Sequence, residues 1–273
     1  RLLGKKVFLV HNGDLVLPNE TGWKGRLVEK IYRLTTGLSI RLSNGVLIQS
    51  KDYAKNSKLL SPLEDKWRVV LPLFEKMIVD RKKVADFKKR NSLTDKVAIG
   101  YSGRFVEEKG VDFLLKSIPW LVKEIPNAVL VMAGDYKIKY ENFWEKIRML
   151  IDRYKDRVRL LGLINNRDEL LAFYGSLDVY VQPSRTDCFP SSQIEAVLCG
   201  TPSVCTNIPG ARWVVENTKM GMIVPPADPK KMAAAIARVY KDRDKYVKYR
   251  GKAKKIFDYQ QTLEEYEKVF RKD

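Results

Sequence analysis

From Lys96 onward, short runs of β-branched and aliphatic residues alternate with longer amphipathic segments. This pattern predicts parallel strands joined by crossover helices, because parallel neighbours need a connection long enough to hold a helix. The strand candidates are VAIGYS (97–102), AVLVMAG (128–134), RVRLLG (157–162), LDVYVQP (177–183), PSVCT (202–206) and MIVP (222–225). Strands covered on both faces are apolar throughout rather than alternating, so AVLVMAG and LDVYVQP are expected in the sheet interior. Ahead of Lys96 the rhythm is shorter: VFLVHN (7–12), a helix around Gly25–Leu42, VLIQS (46–50), a short helix from Lys51, and RVVLP (68–72). About three strands fit there, against the five or six of a complete doubly wound domain. The expectation is therefore an α/β protein: a Rossmann-like parallel-sheet domain preceded by a partial, N-terminally incomplete one. The polar run Glu75–Asp95 is either the linker or, in DRKKVADFKKRN, the first helix of the second domain.

Composition narrows the class. With 45% hydrophobic residues in 273, the chain can bury an ordinary core, and disorder as a whole is not expected. The longest apolar runs fall far short of the ~20 residues needed to span a bilayer. The first six residues lack the apolar core of a signal segment and lead straight into VFLV, so the chain is expected to begin inside a domain. Three cysteines without CxxC spacing and a single histidine leave no Cys/His metal cluster, and a reducing cytoplasm is the default. The net charge of +18 draws the protein toward anionic surfaces, or is simply a solvated lysine-rich surface.

Two segments carry chemistry. In GYSGRFVEEKGVDFLL (100–115) a strand ends at Gly103, and Arg104 and Lys109 follow on a glycine-punctuated loop before a helix. Cations at the carboxyl edge of a parallel sheet suit a diphosphate, with arginine able to grip two oxygens and lysine acting as a point charge. A turn with surface cations is the plainer alternative. In PSRTDCFPSSQIEAVLCGTP (183–202), Asp187 and Glu195 flank a loop-to-helix junction. Pro190 suits the first helical position, the free amides of Ser191 and Ser192 then face an anion, and Glu195 is one and a half turns in, at a reach suited to vicinal ribose hydroxyls. The alternatives are a turn or capping role for Asp187 and a favourable first-turn charge for Glu195. Asp242-Arg243-Asp244 has the spacing of a metal-binding DxD but falls in a charged helical stretch that reads as a solvated face.

Together these segments resemble the retaining family 4 glycosyltransferases of the GT-B fold, also described as glycosyl transferases group 1, over roughly Val97 to Pro226. Gly103-Arg104 and Lys109-Gly110 match the family's Gly-Arg and Lys-Gly, and Asp187 through Glu195 matches its E-x7-E signature, followed by Glu195-Ala196 and Cys199-Gly200-Thr201-Pro202. Pro209-Gly210, Glu216, Gly221 and Val224-Pro225 continue the register. The resemblance implies that Gly103, Arg104 and Lys109 bind the donor diphosphate, that Ser191 and Ser192 supply amides to it, that Glu195 holds the ribose, and that Ile164, with Leu163, borders the base. Phe189 falls among the same donor-contacting positions. Asp187, where the family usually has glutamate, would reach toward the transferred sugar, and His11 resembles the strand-end histidine that lines the reaction cleft. Pro190 replaces a common glycine.

The implied activity is transfer of a sugar from a UDP-, GDP- or ADP-linked donor to a hydroxyl of a glycan or lipid-linked acceptor, with retention and without a metal or other cofactor. Three regions are expected: a partial acceptor-side domain over 1–75, a donor domain over 76–250, and a helix in 251–273 that crosses back. The family's opening strand and glycine-rich loop are not in the sequence, so a donor-binding module without turnover is the second reading, and a basic polyanion-binding protein a third. Trp23, Lys24, Arg26, Lys30, Tyr32 and Arg33 could meet an anionic membrane, making the protein cytoplasmic and peripheral, or simply form an amphipathic helix. Nucleic acid is not an expected partner.

Overall fold

A computed structural model describes residues 5–17, 21–136, 138 and 141–271. Residues 1–4, part of the opening stretch expected to lie inside a domain, are outside the described residues. The chain divides into two compact units, Arg1–Phe74 with Phe257–Asp273, and Glu75–Ile256.

The first unit contains β1 (Phe8–Val10), α1 (Gly22–Leu42), β2 (Gly45–Ile48), α2 (Lys51–Asn56) and β3 (Trp67–Val69). Its three strands form a parallel sheet in the order β1-β2-β3. Ser50 caps α2 by accepting from the Tyr53 amide, which stops β2 and starts the helix in one residue. Ile40, Val46, Ile48, Leu60, Leu63 and Trp67 make the core. The Trp67 indole N–H is satisfied inside it by the Leu60 carbonyl at 3.1 Å.

The second unit opens with α3 (Arg81–Arg90), so DRKKVADFKKRN is a helix and not a linker. Asp80 makes it one by accepting from the amides of Lys82 and Lys83, and Phe87 buries its ring against Phe173. There follow β4 (Val97–Ser102), α4 (Val111–Glu124), β5 (Ala128–Ala133), α5 (Phe143–Arg153), β6 (Val158–Gly162), α6 (Arg167–Ser176) and β7 (Val179–Gln182). The unit continues through α7 (Ser191–Cys199), β8 (Ser203–Thr206), α8 (Ala211–Thr218), β9 (Gly221–Val224), α9 (Pro229–Lys241), α10 (Arg243–Val247) and α11 (Arg250–Ile256). The last helix, α12 (Tyr259–Arg271), belongs to the first unit, where Phe270 meets Phe8 edge-on at 5.5 Å.

All six strands of the second sheet are parallel, in the order β6-β5-β4-β7-β8-β9. As expected, β5 and β7 are interior and wholly buried. Counted along the chain, this is the 3-2-1-4-5-6 order of a doubly wound nucleotide-binding domain, with the direction of winding reversing between β4 and β7. Right-handed crossovers then put α4 and α5 on one face and α6 and α7 on the other. Packing agrees: α4 lies against α5 and α9, while α6 lies against α3 and α7, and α11 against α7 and α8. The larger core, under α4, α5 and α9, includes Leu114, Ile118, Leu130, Val181 and Ile236, each nearly inaccessible to solvent. Truncating Ile236 to alanine should therefore cost about 2–5 kcal/mol, because close-packed neighbours cannot refill the void. Urea unfolding of Ile236→Ala against the parent measures it.

Candidate functional site

Two loops leave the carboxyl edge of the sheet where the winding reverses, one after β4 and one after β7. In the first, Gly103 donates its amide to the Ala133 carbonyl (3.0 Å), and the Tyr101 hydroxyl donates to the Arg104 carbonyl (2.7 Å). These bonds pin the turn from which Arg104 projects. Its guanidinium is half exposed and donates to Glu108 Oε1 at 2.9 Å. Lys109 ends a single 3₁₀ turn, and Gly110 follows at φ 66°. A Cβ on Gly110 would sit 2.0 Å from the Pro183 carbonyl oxygen, so only glycine lets this loop lie against the one after β7.

Arg185 ties the two loops together. Its amide donates to the Glu108 carbonyl (2.7 Å), its Nη1 to the Glu107 carbonyl (2.6 Å), and its guanidinium takes both oxygens of Asp112 (2.8 and 3.0 Å). The same group stacks on Phe113, 4.0 Å from the ring centroid. Burial alone would raise the Asp112 pKa, but hydrogen bonds from Arg185 and Lys116 outweigh it and leave the carboxyl below its ordinary value.

Asp187 is buried, and its Oδ2 accepts from Lys109 Nζ (2.8 Å), Gln182 Nε2 (3.1 Å) and Ser184 Oγ (3.3 Å). Its carboxylate thus faces the lysine of the other loop. Gly210, at φ 89°, presses on the backbone beneath it, since a Cβ there would lie 2.4 Å from the Asp187 carbonyl and 2.2 Å from that of Cys188. That close approach accounts for the Pro209-Gly210 step noted in the sequence.

Helix α7 points its N-terminus at the same edge. Pro190 is its cap rather than its first residue: an extended ψ of 97° keeps it outside the helix, while its carbonyl accepts from Gln193 and Ile194. The amides of Ser191 and Ser192 remain first-turn donors without an intrahelical acceptor. Ser191 is exposed, whereas the Ser192 hydroxyl lies 2.8 Å from that of Tyr180. Glu195, half-buried, accepts from the Tyr174 hydroxyl at Oε2 (2.7 Å), and Tyr174 is in turn 2.9 Å from Ser102 Oγ at the end of β4. Burial raises the Glu195 carboxyl above its usual pKa, opposed by the Tyr174 hydrogen bond and the Arg167 charge.

Gly103, Arg104, Lys109, Asp187, Ser191, Ser192 and Glu195 are therefore brought to one sheet edge by direct contacts between their loops. Ile164, just after β6, is half-buried and shares a recess of about 300 Å³ with Leu161, Leu163 and Asn165. Phe189 is buried with its ring 5.2 Å from that of Trp213, packed rather than presented. His11 belongs to the other unit: it continues the β1 ladder by donating its amide to Leu47, and its buried Nε2 lies 3.3 Å from Asp14 Oδ1 without hydrogen-bond geometry. Asp242 caps the end of α9 and pairs with Lys245. Among the described residues no group of three or more His, Cys, Asp or Glu could hold a metal ion. The three cysteines form no disulfide, and burial pushes Cys188 up to about 11 and Cys199 and Cys205 up to about 12, which leaves no thiolate nucleophile near neutrality.

Sequence reasoning missed Asp112, Tyr174, Tyr180, Gln182 and Arg185. The available signal was Tyr180 and Gln182 inside an otherwise apolar strand, since buried polar groups must find partners. Cutting the Arg185 clamp should cost about 1–3 kcal/mol at neutral pH. A carboxyl with a depressed folded pKa contributes stability above its unfolded value, and that stability is lost as pH falls through the folded one. The deficit of Arg185→Ala, read by urea unfolding across pH, should accordingly be full at pH 7 and narrow below about pH 4.

The family pattern of glycosyl transferases group 1 matches residues 82–256. The capsular polysaccharide biosynthesis glycosyltransferase CapM of Staphylococcus aureus is 31% identical over 169 residues, which is 62% of this chain and 43% of the relative. The chain thus spans well under half the length of CapM. Among solved structures, Anabaena HepE in complex with UDP and glucose superposes with a TM-score of 0.82 at 18% identity, over 100% of this chain and 73% of that one. Sucrose-phosphate synthase of Thermosynechococcus elongatus superposes with a TM-score of 0.80 at 22% identity, over 97% and 67%. Likeness at these identities establishes the fold, and the family pattern, which spans the sheet edge just described, establishes the relationship: the chain belongs to the glycosyl transferases group 1, with the GT-B fold.

Proposed function

We propose that the second unit holds a nucleoside-diphosphate sugar at the edge of β4 and β7, and that the protein transfers the sugar to a hydroxyl of a glycan or lipid-linked acceptor with retention at the anomeric carbon. The observation that carries this is the convergence, at the winding reversal, of Arg104, Lys109 and the N-terminus of α7 with Glu195 one and a half turns into that helix. Negative charge builds on the leaving diphosphate as the glycosidic bond breaks. Two cations and a helix N-terminus preorganised around it lower the barrier. Glu195 takes the ribose hydroxyls, and the recess at Ile164 takes the base. Asp187 reaches toward the sugar while holding Lys109, so an arriving diphosphate shares that lysine with it. The role of His11 at the transferred sugar is carried by the family resemblance. Since the cations meet the leaving charge, turnover is expected to persist in EDTA.

HepE was solved with UDP and glucose, which makes UDP the first nucleotide to try. Calorimetric titration with UDP, GDP and ADP at moderate salt should give saturable one-to-one binding of one of them, weakened at least about tenfold in Glu195→Ala and in Arg104→Ala. Equal, weak binding of all three that collapses with salt and ignores Glu195 would instead mark a polyanion surface and end the donor assignment.

An anionic bilayer is proposed as a partner on a separate observation. Along α1, Trp23, Leu27, Ile31, Leu34 and Leu38 are all about half exposed or more, with Arg26, Lys30 and Arg33 along one flank. No helix among the described residues is long and apolar enough to cross a membrane. Vesicles containing phosphatidylglycerol should pull the protein down where phosphatidylcholine vesicles do not, and Leu34→Glu with Leu38→Glu should abolish it. Equal sedimentation of the variant removes α1 from the proposal.

A further inference from the structure

We propose that Tyr174 is a positioning residue of the nucleotide site: it holds the Glu195 carboxylate by Oε2 in the orientation that meets the ribose hydroxyls. This inference rests on the function proposed above. It also asks something of a residue with no predicted part in binding.

Tyr174 is fixed before any ligand arrives. Its ring is buried on α6 between Phe173 and Tyr180, at centroid distances of 5.2 and 6.1 Å, and its own carbonyl accepts from Thr201 Oγ1 at 2.7 Å. From that position its hydroxyl donates to Glu195 Oε2 at 2.7 Å, and Ser102 Oγ, 2.9 Å away, donates to it from the end of β4. A glutamate has three rotatable bonds, and ordering them at the moment of binding would weaken affinity. The tyrosine orders them in advance. Each carboxylate oxygen can accept two hydrogen bonds, so Oε1 and the second lone pair of Oε2 stay open to a vicinal diol.

The same bond bears on charge. The groups facing Glu195 are Tyr174 and Arg167 from α6, Tyr180 from β7, and Cys199 on its own helix, where Arg250 and Lys254 of α11 also reach. Burial favours the neutral acid, and the Tyr174 hydroxyl favours the carboxylate. Ribose binding needs the carboxylate as acceptor, so affinity should fall as pH drops through the Glu195 pKa. Removing the hydroxyl moves that fall to higher pH.

UDP, GDP and ADP are each titrated into the parent chain, Tyr174→Phe, Ser102→Ala and Glu195→Ala across pH 4.5–8, with the Glu195 carboxyl also followed by carbon-13 NMR in the unliganded proteins. The expected result in Tyr174→Phe is an affinity at least about threefold weaker at pH 7 and a midpoint raised by about one unit, in both readouts. Ser102→Ala, which leaves the ring intact, should shift the midpoint the same way by less. A tyrosine that merely packs would lower the melting temperature and leave both midpoints unmoved, which would overturn the proposal while the parent still bound nucleotide through Glu195. If the parent bound none of the three nucleotides, the donor reading itself would fall, and the role of Tyr174 with it.

Discussion

Right-handed crossovers carry the chain from β4 across one face of the sheet and from β7 across the other, and this divergence is the constraint on which the site depends. The strands share register only at Ile99 with Val179 and Gly100 with Tyr180, whereas β4 and β5 pair over six positions. Beyond Gly100 the two chains part at their carboxyl ends. Their loops must then be held by something other than the sheet ladder. Gly110 against Pro183, the Arg185 clamp on Asp112, and the Lys109–Asp187 pair do that work from three directions.

Beneath the loops runs a layer of buried polar groups that is unusually complete for the middle of a parallel sheet. Ser102, Tyr174, Tyr180, Gln182, Ser184 and Asp187 are linked to one another or to Ser192, Glu195 and Lys109 by bonds of 2.7–3.3 Å. An unsatisfied member would cost more than an apolar residue in its place, so such a layer either closes fully or does not persist. Closed, it holds Lys109, Ser192 and Glu195 above it in one hydrogen-bonded arrangement.

The strands of the second unit were legible because wholly buried runs such as VAIGYS and AVLVMAG leave no competing period, and their ends fell within a residue or two of expectation. The cations were legible as residues at a strand edge, and Glu195 as a carboxylate one and a half turns into a helix that starts there. What escaped was non-local. Arg185 is a loop arginine until Asp112 and Phe113 are folded beneath it, and Tyr174 is a core aromatic until β4 and α7 converge on its hydroxyl. Pro190 was misplaced by one position because a cap and a first residue are both compatible with a fixed φ, and only ψ distinguishes them.

The return of α12 to the first unit gives the two units different histories on the ribosome. Glu75–Ile256 is one unbroken stretch whose strands and helices can assemble as they emerge. The first unit begins earlier in the chain and finishes last, since Phe8 finds Phe270, and Phe74 finds Phe257, only once the second unit has been made. During that interval the β1 edge and Phe74 stand uncovered, and a synthesis pause or a premature stop after Ile256 would leave a folded second unit attached to an incomplete partner with an open strand edge.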